Sequence, residues 1–149
     1  MLALIFLGAC GDGNPNEEGT SNQSNAEVNA AESKTADDKG LGKFTNVELT
    51  HPLDLKMIDA GKLIYDVKCG SCHRLSKEKL VGPGWKGVTS RRKPEWIMNF
   101  ATNAEEMLTK DATAMALLEE CLIRMPNQNL SDTDARNILE FMRNNDGDK

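Results

Sequence analysis

Residues 68–75 read KCGSCHRL: two cysteines, Cys69 and Cys72, separated by two residues, with His73 directly behind the second. Three chemistries use a pair of thiols at this spacing, namely covalent haem attachment, zinc ligation and thiol–disulfide exchange. Each demands a different companion elsewhere in the chain. What surrounds the clamp therefore decides the fold and the function together.

A structural zinc site takes four ligands, usually from two such knuckles. Only one is present, and His51 or Cys121 would have to be brought from a distance. A thiol–disulfide enzyme places its motif at the start of a helix that follows a strand, where the helix dipole lowers the thiol pKa. Here the order is reversed: Met57, Ile58, Gly61, Ile64 and Tyr65 recur at helical spacing, predicting a helix over 55–69 that runs into the clamp and ends at Cys69. Covalent haem attachment fits every position. The thiols of Cys69 and Cys72 reach the two vinyl groups of one macrocycle edge, and His73 follows as the proximal iron ligand. It also accounts for an aromatic content of only 5%, because a porphyrin supplies apolar bulk that the side chains lack.

Downstream the periodicity stays helical, with no alternating run long enough for a strand, so the fold class is all-α. Pro94 suits the first turn of a helix holding Trp96, Ile97 and Phe100, where its missing N–H is not needed. Asp111 can cap another, with Ala112, Met115, Ala116, Leu118, Leu122 and Ile123 as its apolar side. Ser131 and Asp134 form a near capping box ahead of a last helix striped by Ala135, Ile138, Leu139 and Met142. Residues 74–93, with Gly82, Pro83, Gly84 and Gly87, read as a loop. The expectation is about four to five helices packed around one covalently bound haem c, preceded by a disordered tether.

Over about residues 54–145 the chain resembles the class I cytochromes c. Gly61, Tyr65 and Cys69 repeat that family's first-helix pattern G-x-x-x-[FY]-x-x-x-C, and Ile138 and Phe141 stand where its last helix crosses the glycine. The resemblance implies that the Pro83 carbonyl accepts the His73 N–H, orienting the ligand and raising its basicity. Trp85, Arg91 and Arg92 then fall where the family contacts the haem propionates. The loop RMPNQNLSD, 124–132, resembles the family's M-P-x-N segment and makes Met125 the sixth ligand. Met57, Met98, Met107, Met115 and Met142 read as core packing. Cys121, one turn before Met125, reads either as a buried, inert thiol or as a residue facing the haem pocket.

The first fifty residues differ in kind. Met1–Ala9 is apolar but far shorter than the roughly 20 residues that span a bilayer. Its end, Leu7-Gly8-Ala9-Cys10, resembles the lipobox of bacterial lipoproteins, which implies a signal peptide remnant at 1–9 and lipidation of Cys10. The basic segment that usually opens such leaders is not in the sequence. Residues 10–50 read as a flexible linker, rich in Asn, Ser, Glu and Gly, with an r.m.s. span of roughly 35 Å. The cytochrome c domain is assigned to 51–149.

Residues 11–40 carry seven acids and two lysines, so they hold the whole net charge of −5 and the remainder sums to zero. Within that neutral part, the stretch from Lys68 to Lys93 is basic except for Glu78, and acids dominate from Glu95 to Glu120. Such sorting orients a molecule toward a partner. With His73 and Met125 both on iron, the resemblance implies a one-electron carrier and no enzyme. It would be a monomer without nucleic-acid partners, lipid-anchored on the periplasmic side of a bacterial membrane. There it would shuttle electrons between a quinol-oxidising complex and a terminal oxidase or periplasmic reductase, nitrous oxide reduction and denitrification among the settings. The alternative is a haem-based sensor or peroxidase-like domain with an open or bis-histidine iron, His51 being the second histidine.

Overall fold

The computed structural model describes residues 38–149. Helical structure starts where Asp54 accepts the amide N–H groups of Lys56 (2.8 Å) and Met57 (3.2 Å), two of the donors that a helix start leaves unpaired. Helix α1 (Leu55–Ile64) continues into a π-helical turn, Tyr65–Cys69, closed by Gly70 N–H on the Tyr65 carbonyl at 2.8 Å. The predicted helix over 55–69 is thus present, widened in its last turn. That widening delivers Cys69 to the interior, and the N–H groups of Cys72 and His73 both fold back onto its carbonyl (3.0 and 2.9 Å).

The glycine-containing loop is less irregular than its composition suggests, because it holds a single turn, α2 (Val88–Arg91). Helix α3 (Pro94–Thr102) begins on the proline as expected, and α4 (Ala104–Lys110) follows after a break at Asn103. Asp111 caps α5 (Ala112–Cys121), accepting the Ala114 N–H at 2.8 Å, and it also receives the Trp96 indole N–H at 3.2 Å. Ser131 and Asp134 form a complete capping box at the start of α6 (Asp132–Asp146). Six helices, one more than the upper expectation, and no strand occur among the described residues. None of these helices is long and apolar enough to cross a membrane.

The core is built where α1 crosses α6. A Cβ placed on Gly61 would lie 2.2 Å from the Asn137 carbonyl oxygen and 2.7 Å from the Phe141 Cβ, so a side chain there would force the two helices apart. Ile138 and Phe141, the residues expected at this crossing, are both buried, as are Ala135, Leu139 and Met142. Beside them α6 buries charge. Glu140 is 0% exposed and Arg143 2%; they pair at 3.0 Å, and Arg136 reaches the same carboxylate. Glu140 also accepts the Asp54 N–H (3.1 Å), while Arg143 donates to the Thr50 carbonyl (3.2 Å) and to Asp148 (2.8 Å). Full pairing is what makes such burial tolerable.

Three expectations need correction. Residues 38–50, assigned to the linker, lie against the fold: Asn99 donates to the Lys39 and Phe44 carbonyls (3.0 and 2.9 Å) and accepts the Phe44 N–H (3.0 Å). Leu41, Phe44 and Val47 add apolar contact. A side-chain amide that completes the backbone pairing of an irregular strap leaves no mark in that strap's composition. Leu122 and Ile123, expected on the buried side of α5, are 83% and 60% exposed, because the helix ends at Cys121 and Leu122 turns into the left-handed region (φ 61°). Met115, expected in the core, is 42% exposed; the inward stripe of α5 is Ala114, Leu117, Leu118 and Cys121. Cys10 and the segment 1–37 lie outside the described residues.

Candidate functional site

His73 is held from two sides. Its Nδ1 lies 2.9 Å from the Pro83 carbonyl oxygen, which fixes that nitrogen as the N–H and leaves Nε2 for a metal. The Tyr65 hydroxyl donates to the His73 backbone carbonyl at 2.7 Å. Burial lowers the imidazole pKa, opposed in smaller measure by the bond to Pro83, so the ring is neutral and able to act as a ligand. Gly82 presses against it: a Cβ there would stand 2.4 Å from Cε1. Trp85 covers another side with ring centroids 5.5 Å apart, and Tyr65 meets Trp85 edge-on at 5.1 Å.

Two clefts open beside this ring, with Cys69, His73, Pro83, Trp85, Phe100 and Met125 among the residues common to both. Cys72, Val81, Cys121 and Ile123 line the first. Arg91, Arg92, Trp96 and Ile138 line the second. The sequence-nominated residues are therefore together: both thiols, His73, Pro83, Trp85, Met125 and the two arginines border two adjoining, largely apolar clefts that share the His73 ring. His51 does not belong to it. It is exposed beside the C-terminal end of α6, 3.2 Å from the Arg143 guanidinium, and lines neither cleft. Cys121 is half-buried and lines the first cleft.

The thiols bear on the rival chemistries. Burial pushes the Cys69 thiol up to about 11, with Lys68 lowering and Cys72 raising it as lesser effects. Thiol–disulfide exchange needs a thiolate, and this environment disfavours one. No group of three His, Cys, Asp or Glu side chains able to hold a metal ion occurs among the described residues, so a zinc site lacks its ligands. A covalently attached haem needs neither condition. It needs two thiols on one edge, a neutral imidazole with its second nitrogen occupied, and apolar walls, and these residues supply all of them. Such a site in an all-α fold defines a haem-carrying electron-transfer protein of the monohaem c type.

The Cytochrome c family model matches residues 58–146. Among solved structures, the chain is similar to a cytochrome c from Rhodothermus marinus, with 32% identity and a TM-score of 0.68 over 70% of this chain and 90% of that one. An engineered cytochrome c from the same organism matches at 31% identity and a TM-score of 0.70, covering 74% and 98%. That engineered protein bound to a carbene intermediate, 1-ethoxy-1-oxopropan-2-ylidene, matches at 32% and 0.67 with the same coverage. No curated protein matches. The chain belongs to the cytochrome c family, binds one covalent haem c and carries electrons.

Sequence reasoning did not anticipate two contributors. The contacts of Phe100 and Leu118 with the space were hidden because each reads as ordinary helix stripe, and Leu117 stood outside the apolar side expected of α5. The anchoring of the 74–93 loop on the end of α6, through Asn145 and Asp146, left no local signal at all.

Proposed function

We propose that the protein is a membrane-tethered one-electron carrier in which Cys69 and Cys72 hold the haem covalently and His73 and Met125 are the axial ligands. The observation that carries this reading is the His73 Nδ1 to Pro83 carbonyl contact of 2.9 Å beside a space bordered by both thiols and by Met125. When bound, haem c supplies a one-electron couple between ferrous and ferric iron. The chain's own residues do the rest. Pro83 orients the imidazole and raises its basicity, the apolar walls exclude water, and the Met125 thioether favours the ferrous state. With His73 and Met125 both holding the iron, the site would carry electrons and would leave no position for substrate chemistry.

Lys68 borders the first cleft and Arg91 and Arg92 the second, so the basic block surrounds the mouth through which electrons leave. Docking on an acidic partner follows, with an on-rate that falls as salt rises. The reading of Cys10 as a lipid anchor puts the domain on the periplasmic side of a bacterial membrane, where tethering raises its local concentration. The partners are a quinol-oxidising complex as donor and a terminal oxidase or periplasmic reductase, including one for nitrous oxide, as acceptor.

The test is the spectrum of the protein matured in a host with haem-attachment machinery. Sharp reduced bands and a weak red band in the oxidised form are expected, and Met125→Ala should abolish the red band while leaving the haem attached. A red band that survives Met125→Ala would overturn the ligand assignment. Labelling with a radioactive fatty acid, lost on Cys10→Ser, tests the anchor.

A further inference from the structure

We propose that Asp146, in the last turn of α6, is a positioning residue for the iron ligand: it fixes the loop that orients His73 and thereby sets the reduction potential. The inference rests on the reading of His73 as the proximal ligand.

The Asp146 carboxylate accepts three hydrogen bonds from the loop: Gly87 N–H at 2.5 Å, Thr89 N–H at 2.9 Å and the Thr89 hydroxyl at 2.7 Å. Gly87 precedes α2 with φ at 78° and has no side chain to cap it. An N-cap residue normally supplies an acceptor for the N–H groups of the first turn. Here a residue 57 positions beyond Thr89 supplies it, and its negative charge suits that end of a helix. Asn145 ties the other end of the same loop, donating from Nδ2 to the Leu75 carbonyl at 3.1 Å, and its own carbonyl receives the Lys86 ammonium.

Between these two ties lie Pro83, whose carbonyl holds the imidazole, and Trp85, whose ring flanks it. Just past them come Arg91 and Arg92 on the second cleft. The tied stretch contains Gly82, Gly84 and Gly87, residues that impose little conformation of their own, so ties shape it: backbone bonds hold Gly82 to the Cys72 carbonyl (2.9 Å) and Trp85 to the Arg74 carbonyl (2.9 Å), and α6 holds the end at Gly87 and Thr89. Releasing it weakens the Pro83 bond to His73, makes the imidazole a poorer donor and disfavours ferric iron. The potential then rises.

The experiment is redox titration of the haem-loaded protein, parent against Asp146→Asn and Thr89→Val, at low and high salt. Before it, imidazole coordination by His73 is verified in the parent by NMR; its absence would overturn the ligand reading itself and not the role of Asp146 alone. Asp146→Asn should raise the potential, and the rise should persist at high salt, where the field of a lost exposed charge is screened. Thr89→Val removes one donor with no change of charge and should move the potential the same way by less. Both variants should speed amide exchange over 84–89. Faster exchange with an unmoved potential, or a rise that vanishes in salt, would make Asp146 merely structural. Should Asp146→Asn fail to mature, an unmoved potential in Thr89→Val would overturn the proposal.

Discussion

The two sides of the haem space are built differently. On the His73 side the ring is fixed by Pro83, its backbone by Tyr65, and the elements behind it by the α1–α6 crossing and the Glu140–Arg143 pair. On the Met125 side the chain from Leu122 to Ser131 has no helix, and its long-range ties come from flexible cations: Lys68 to the Gln128 carbonyl (3.0 Å), Lys79 to the Glu120 carbonyl just before it (2.7 Å), and Arg124 to Thr109 (3.4 Å). Ties made by long, exposed side chains contribute little stability. One wall is rigid and expensive to change; the other is compliant.

Substitutions on the two walls sharpen that contrast. Gly61→Val should have the largest effect, on the order of the roughly 5 kcal/mol by which a small domain is stable, since its new carbons meet the Asn137 backbone and not a movable side chain. A denaturant midpoint within error of the parent would show that the crossing can yield. Next comes Glu140→Gln, which leaves the buried Arg143 to Asp148 and the Thr50 carbonyl and should cost about 1.5–3 kcal/mol in urea unfolding at neutral pH.

Glu140 also gives the fold a pH dependence with a definite sign. Burial raises its pKa, but hydrogen bonds from Arg136, the Asp54 N–H and Arg143 outweigh burial and hold it below its ordinary value. A carboxyl depressed in the folded state contributes its full stabilisation above its unfolded pKa and loses it as pH falls through the folded value. Acid titration of stability should therefore be steep below about pH 4 in the parent and shallower in Glu140→Gln. Equal slopes would remove Glu140 from the account. Tyr65→Phe, which deletes one hydrogen bond to the His73 carbonyl, should cost about 1 kcal/mol. Smallest, on the compliant wall, Leu122→Gly should raise stability by about 0.5 kcal/mol, because a bulky residue in the left-handed region is replaced by one that adopts it freely. A loss there would mean that this exposed leucine packs more than its surface suggests.

Legibility in the sequence followed the same division. Caps are local, so Pro94, Asp111 and the Ser131–Asp134 box announced α3, α5 and α6 correctly, and the helix running into Cys69 was visible in its spacing. The Pro83 partner of His73 came from the family resemblance through the Gly82-Pro83 pair, and the contact is present at 2.9 Å. What failed was long-range. The α2 turn has its capping carboxylate on α6, the strap over 38–50 is paired by Asn99, and α5 stops at Cys121, where Leu122 turns left-handed although the apolar run continues. Periodicity reports which face is apolar; it does not report where a helix yields to a ligand loop.

The strap over 38–50 has a mechanical meaning. Its hydrogen bonds to Asn99, and the ion pair of Asp38 with Lys93 beneath it, attach the start of the described chain to α3. Tension applied ahead of Asp38 would load those bonds first, before reaching the segment that runs from Leu55 to His73. Drag on the leading chain is thus taken up first on α3, which itself borders the haem space through Trp96 and Phe100.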